Sequence, residues 1–310
     1  MLARALIVAL LAVAGVGVIV GEIASSGRAD AATVIACAVG AILATCAFVV
    51  AVTYGISRAK ASPVPPTHRA DGIARVAAIF REFLAHVVVF AFLAPFERVW
   101  TRDPVADPGA GADSPVVLVH GYLLNGAAWR RFVRFLASEG ARAYVATVEP
   151  PLASIDAMAD SLARRIEEVC AATGSSQVRL VAHSMGGVVC RAYLRAHGAA
   201  RVARLVTIAS PHHGTAIAWL GIGQAARDML PGNAWLAALA EWEEESEHPP
   251  TVALFTYYDN YIAPQESSML SWAENEVLPV HGHVEMYFSR RVARQVSRAL
   301  GLEPIGSRAA

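Results

Sequence analysis

The sequence predicts an α/β fold, a mostly parallel sheet with helices on both faces, preceded by an N-terminal transmembrane helical hairpin. Three observations predict it. From residue 116 onward, short β-branched runs alternate with helical periodicities, the pattern of parallel strands joined by crossover helices. Ahead of them lie two long apolar stretches. And one strand runs straight into a serine among small residues and then a helix, Val181-Ala182-His183-Ser184-Met185-Gly186-Gly187.

The apolar stretches come first. Leu2 to Val20 is interrupted only by Arg4, and Ala31 to Ile56 carries only Thr33, Thr45, Thr53 and Tyr54 as polar groups. About 20 apolar residues cross a bilayer as a helix, so the spacing predicts helices over about 3–21 and 31–56. The polar turn Glu22 to Asp30 joins them, and residues 1–60 form a membrane anchor. Ala29-Asp30-Ala31 also has the small-x-small shape of a signal-peptide cleavage site; cleavage there would leave the second stretch as the anchor. Pro63-Val64-Pro65-Pro66 is a stiff linker. Val76 to Phe96 is rich in Phe, Val and Leu but contains Arg81, Glu82 and His86. Charges at the centre of a membrane helix cost about 2.5–3.5 kcal/mol each, so this segment is expected as an amphipathic helix lying on the membrane or on the catalytic domain. Residues 61–114 are thus linker and amphipathic helix. Arg58, Lys60, Arg69 and Arg75 follow the second stretch, which puts the bulk of the chain on the cytoplasmic side of a bacterial-type inner (plasma) membrane. A third crossing would move it to the periplasmic side.

The remainder, 115–303, reads as the catalytic domain. Strands are expected at Val116–Val119, Ala143–Val148, Val178–Ala182, Val202–Ala209, Val252–Tyr258 and Val277–Val280. Helices are expected at Ala127–Ser138, Ile155–Ala172, Gly187–His197 and Val284–Leu300. The loop from Asp103 to Pro115 is rich in Gly, Pro, Ala and Asp.

Some function classes are excluded. The 310 residues carry 26 acidic and 26 basic side chains, so no charge excess points to nucleic acid. No G-x-x-x-x-G-K phosphate loop is present. The four cysteines show no metal-site or disulfide spacing.

The serine turn carries the chemistry. A hydroxyl is a poor nucleophile unless the backbone aims it and a base activates it. A sharp strand-to-helix turn does the aiming, and needs small residues on either side where strand and helix nearly collide; Ala182 and Gly186 stand there. Sites in parallel sheets gather at the carboxyl ends of strands, so the partners of Ser184 must follow strands. The backbone N–H groups of Tyr122, after the His120-Gly121 turn, and Met185 are the candidate oxyanion donors. Among ten histidines, His283 is preferred as the base because it lies between the last strand and the last helix; His281, across Gly282, is the alternative. His183, His212, His213 and His248 are less well placed. Asp259, after the strand ending at Tyr258, is the candidate acid that orients the imidazole, with Glu266 its rival.

On these residues the chain resembles the α/β-hydrolase superfamily, and within it the bacterial triacylglycerol lipase and esterase group that includes the small Bacillus lipases. The resemblance rests on Val119-His120-Gly121, Ala182-His183-Ser184-Met185-Gly186-Gly187, Ser210-Pro211-His212-His213-Gly214-Thr215, Tyr258-Asp259-Asn260 and Gly282-His283. It covers about residues 115–300. Alanine at the first small position also occurs in the small Bacillus lipases. The order Ser184, Asp259, His283 is that of an α/β-hydrolase triad. The resemblance implies ester hydrolysis through an acyl-enzyme, with no metal or organic cofactor.

Between Thr215 and Pro250 an insertion carries Trp219, Leu220, Ile222, Met229, Leu230, Trp235, Leu236 and Leu239. It is expected either as an apolar cap or lid over an acyl pocket, or as a helical pair that simply packs on the sheet. Glu241 to Glu247 is expected as a solvated charge run. The partners expected are a hydrophobic ester or lipid and a membrane. Acyl transfer or thioester cleavage by the same triad, and a silent interaction module on this fold, are the alternatives.

Overall fold

The computed structural model describes residues 1–25, 27, 30–101, 103 and 114–302. Most of the loop expected at 103–115, and Ser26, Arg28 and Ala29 of the expected polar turn, lie outside the described residues. Strands β1 (Val116–Val119), β2 (Ala143–Ala146), β3 (Val178–His183), β4 (Val202–Ile208), β5 (Thr251–Phe255) and β6 (Glu274–Val277) form one sheet in the order β2-β1-β3-β4-β5-β6. Every pairing is parallel.

Side chains alternate between the faces of a strand, and β1 shows the consequence. Val116 and Leu118 join Val181, Val206 and Leu254 in one core, whereas Val117 and Val119 join Leu180, Ala182 and Leu205 in the other. Because both faces are buried, consecutive residues within the strands are apolar, as in Val116–Val119 of β1 and residues 180–182 of β3.

Two apolar helices open the chain, α1 (Leu2–Ala24) and α2 (Ala31–Ala59). Asp30 caps α2 by accepting from Thr33 N at 2.8 Å. The two pack as a hairpin at glycines four apart: a methyl group on Gly17 would collide with the backbone of Cys37 and lie 2.8 Å from Ala38 Cα, and one on Gly21 would lie 3.0 Å from Cys37 Sγ. Small residues at this spacing let apolar helices approach closely.

The third apolar segment departs from its expected bounds. Helix α3 (Gly72–His86) continues through a wide π turn (Val87–Leu93) and a tight turn (Ala94–Phe96) into α4 (Glu97–Trp100). Pro95 accounts for the irregularity, since it has no N–H and its ring crowds the preceding turn. The described residues thus hold three helical stretches, 2–24, 31–59 and 72–100, long and apolar enough to cross a membrane by length and composition. The last is amphipathic in an inverted sense. Its polar residues Glu82 and His86 are buried against the sheet domain, while Ile73, Val76, Phe80 and Phe92 are exposed. Ala85, Val89 and Leu93 join the first core of the sheet.

Helices α5 (Arg130–Ser138), α6 (Ile155–Thr173) and α7 (Met185–His197) follow, with α5 in the first core and α6 and α7 in the second. A short turn (Ala216–Leu220) and helices α8 (Gly223–Asp228) and α9 (Ala234–Glu244) lie in the insertion, and α10 (Arg290–Ala299) is the last helix of the described residues. Two expectations are corrected. The last strand is Glu274–Val277 rather than 277–280; as the sheet's edge it carries Glu274 and Glu276, which an apolar-run criterion passes over. The helix expected at 284–300 is a tight turn (Val284–Phe288) and then α10, divided at Ser289, whose hydroxyl accepts from Val292 N.

Candidate active site

Ser184 joins β3 to α7 with φ 57° and ψ −130°. A non-glycine residue held there costs on the order of 1–3 kcal/mol, a strain that persists only where the surroundings enforce it. Ser184 N donates to Ile208 O at 2.9 Å, and Ala182 is wholly buried. A methyl group on Gly186 would lie 2.6 Å from Val119 O and 2.8 Å from His120 O, so only glycine fits where α7 crosses β1. Met185 is the first residue of α7, and the N–H of such a residue has no partner within its own helix. Tyr122 follows Gly121, where a methyl group would lie 2.9 Å from Ser184 Cβ. The Tyr122 hydroxyl donates to Ile222 O at 2.6 Å and accepts from Ile222 N at 2.8 Å, tying the loop after β1 to the insertion.

Asp259 and His283 meet across the loops after β5 and β6. His283 Nδ1 lies 2.8 Å from Asp259 Oδ2. Asp259 Oδ1 accepts from Tyr261 N at 2.7 Å and Ile262 N at 2.8 Å. Both side chains are buried. With Nδ1–H donated to a carboxylate, Nε2 is left as the nitrogen that can take a proton. His183, next to Ser184, sets its ring 4.4 Å from that of His283, tilted by 52°, and donates Nε2–H to His283 O at 3.1 Å. Burial first, then the neighbouring His283, holds His183 well below the ordinary histidine range, so it acts here as a neutral strut. Among the described residues no hydrogen bond joins Ser184 to His283; such contacts often tighten only with substrate bound.

The rivals fall elsewhere. His281 donates Nδ1–H to Pro279 O and accepts from Ser289 Oγ at 2.8 Å, beside a separate cavity. Glu266 is exposed, and its carboxylate accepts from Tyr257 Oη at 3.5 Å. His120 clips β1 to β2 by accepting from Val148 N at 3.1 Å.

The sequence reading missed a second set of residues, all from the apolar helices or facing them. Ser57 of α2 donates to Asp259 O at 2.7 Å. Thr53 Oγ1 accepts from Asn260 Nδ2 at 2.8 Å, and Asn260 Oδ1 accepts from His283 N at 3.0 Å. Glu82 of α3 accepts from Val284 N at 3.0 Å and Glu285 N at 2.7 Å. A methyl group on Gly282 would lie 2.6 Å from Glu82 Cβ, which explains the glycine before His283. His86 Nε2 accepts from Tyr261 Oη at 2.8 Å, and the Tyr261 ring stacks on His283 at 5.0 Å. The signal was available: a polar side chain inside an apolar segment marks the side that faces protein.

Ser184 lines a cavity of about 300 Å³. Its other walls include Tyr122, Ile217 and Met229 from the sheet domain and Phe48 and Val52 from α2. The insertion divides in two. Its first part walls the cavity, while Leu236 and Leu239 of α9 pack into the second core. The acidic run is not wholly solvated: Glu243 is buried and paired with buried Arg191 of α7 through two contacts of 2.7 Å.

Residues 114–238 match the family described as alpha/beta hydrolase fold. Over 124 residues the chain is 36% identical to a triacylglycerol lipase of Pseudarthrobacter phenanthrenivorans, covering 36% of this chain and 38% of that protein. It is likewise 36% identical over 124 residues to a triacylglycerol lipase of Burkholderia plantarii, covering 36% of this chain and 34% of that one. The chain thus spans little more than a third of these curated relatives. The Bacillus licheniformis lipase BlEst2 in mature form superposes with a TM-score of 0.57 at 18% identity, over 65% of this chain and 96% of that one. That likeness is one of fold.

Proposed function

The chain carries an α/β-hydrolase domain, and from that premise we propose that it is a membrane-anchored serine ester hydrolase that cleaves hydrophobic carboxylic esters through an acyl-enzyme on Ser184. The observation that carries the reading is the buried Asp259–His283 pair, packed on His183 next to a serine held at positive φ in a strand-to-helix turn. In this mechanism Ser184 Oγ attacks the ester carbonyl as His283 Nε2 takes its proton, and Asp259 stabilises the imidazolium. The backbone N–H groups of Tyr122 and Met185 receive the oxyanion, where a single donor is worth on the order of 10²–10³ in rate. His283 returns the proton to the leaving alkoxide, and water, activated by the same imidazole, releases the acid.

The ends of the hairpin support its place in the membrane. The amino group of Met1 lies 3.2 Å from Glu149, and Ser57 near the other end reaches Asp259, so both open ends meet the hydrolase domain. The hairpin then crosses and returns, and α3 lies along the domain with its apolar face outward. The basic residues after α2 favour the cytoplasmic side for the domain.

Treatment of the full chain in detergent with a fluorophosphonate probe tests the chemistry. Wild type takes one label and Ser184→Ala takes none; a folded wild type that stays unlabelled sinks the proposal. Labelling of intact cells with an impermeant probe tests the side, and the cytoplasmic placement expects no label until the cells are opened.

A further inference from the structure

We propose that α2 is one wall of the acyl-binding site, and that the site takes the chain of a long-chain fatty acyl ester resident in the bilayer, entering sideways from the membrane. This rests on the ester-hydrolase reading and goes further by naming the substrate's physical state and the helix that selects it. Phe48, Val49 and Val52 of α2 line the same cavity as Ser184, opposite Ile217 and Leu220 of the insertion. An anchor that merely tethered the domain would have no reason to face the nucleophile.

The depth follows from helix geometry. Val13 and Ile42 are the outermost hairpin residues lining the adjoining cavity, which they share with His86, Phe90 and Tyr261. Beyond them remain residues 14–24 of α1 and 31–41 of α2. Eleven residues rise about 17 Å, little over half of the roughly 30 Å hydrocarbon core. A crossing hairpin therefore draws about nine more residues of α2 into the hydrocarbon, as far as Val50. That includes Phe48 and Val49, so the cavity opens close to the boundary between headgroups and acyl chains, where the esters of bilayer lipids lie. Arg58 and Lys60, both exposed, then fall at headgroup level. Trp219, Leu220 and Ile222 of the insertion and Phe80 and Leu84 of α3 are exposed apolar side chains, as a partly embedded domain requires.

Two measurements on the full chain test this. The first is kcat/KM on p-nitrophenyl esters from acetate to palmitate. Val52→Trp fills the cavity and lowers palmitate turnover at least about tenfold relative to acetate, since each methylene in such a pocket is worth about tenfold or more. Val52→Ala moves the preference toward longer chains, and Val39→Trp, on an exposed part of α2, leaves the profile as in wild type. A profile unmoved in both Val52 variants while fluorophosphonate still labels Ser184 overturns the role of α2 and leaves the hydrolase reading standing; loss of labelling in wild type removes both. The second presents a fluorogenic long-chain ester either in the protein's own vesicles or in separate, protein-free ones. The expected result is hydrolysis in the protein's vesicles at least about tenfold faster; equal rates would show delivery through water and overturn entry from the membrane.

Discussion

The candidate site has two halves of opposite character. The half at the carboxyl ends of the strands holds the groups assigned to bond making: Ser184 in a strained turn, and the Asp259–His283 pair. The half supplied by the apolar helices is assigned no part in bond making. Instead Ser57, Thr53 through Asn260, and Glu82 bind the backbone on which Asp259 and His283 are carried. The comparison teaches that these helices brace the sheet domain at its candidate site. The sheet positions Ser184, Asp259 and His283 at the ends of its strands, but the loops after β5 and β6 are finished by hydrogen bonds from the apolar helices.

The comparison can be broken at its strongest point first. Asp259→Asn should lower kcat by about 10⁴-fold, because the amide no longer stabilises the imidazolium or holds its tautomer. Steady-state kinetics on a short soluble ester would show it, and a loss under tenfold would remove Asp259 from the triad.

The helix half should give a smaller and different effect. Glu82→Gln leaves one oxygen for two backbone donors and turns an NH₂ toward the other. We expect kcat to fall about 10–100-fold through displacement of His283, with KM for a short ester changed by less than about twofold. If the melting temperature falls while kcat per folded molecule holds, Glu82 supports the fold and does not position the base.

The smallest effect on chemistry belongs to the far end of the hairpin. Gly17→Leu drives a side chain into the backbone of α2 and should destabilise by about 1–3 kcal/mol. Turnover of a short soluble ester should stay within about twofold of wild type, read by thermal unfolding and kinetics in the same detergent. A large loss of turnover would mean that the hairpin's packing reaches the catalytic loops.

Much of the hydrolase half was legible because its rules are local. A β-branched run, a serine between Ala182 and Gly186, and an Asp and a His after later strands each carry their signal in a few residues. His283 and His281 were harder to separate, since both flank Gly282. Only the partner of each ring distinguishes them: Asp259 for one, Pro279 and Ser289 for the other. Glu243 was misread as solvated because nothing near it in sequence shows that Arg191, 52 residues away, meets it in the interior.

By itself, then, the sequence determined the alternation of strands and helices, the aimed serine, the candidate acid and base, and three apolar segments. These depend on side-chain size, periodicity and turn geometry over short stretches. Only the tertiary structure decided that Glu82 and His86 turn inward while the apolar face of α3 turns outward, and that α2 walls the cavity beside Ser184. A polar group in an apolar helix must find a hydrogen-bonding partner once water is excluded, and which partner it finds depends on what packs there. For Glu82 the partners are the N–H groups of Val284 and Glu285, some two hundred residues away and next to His283.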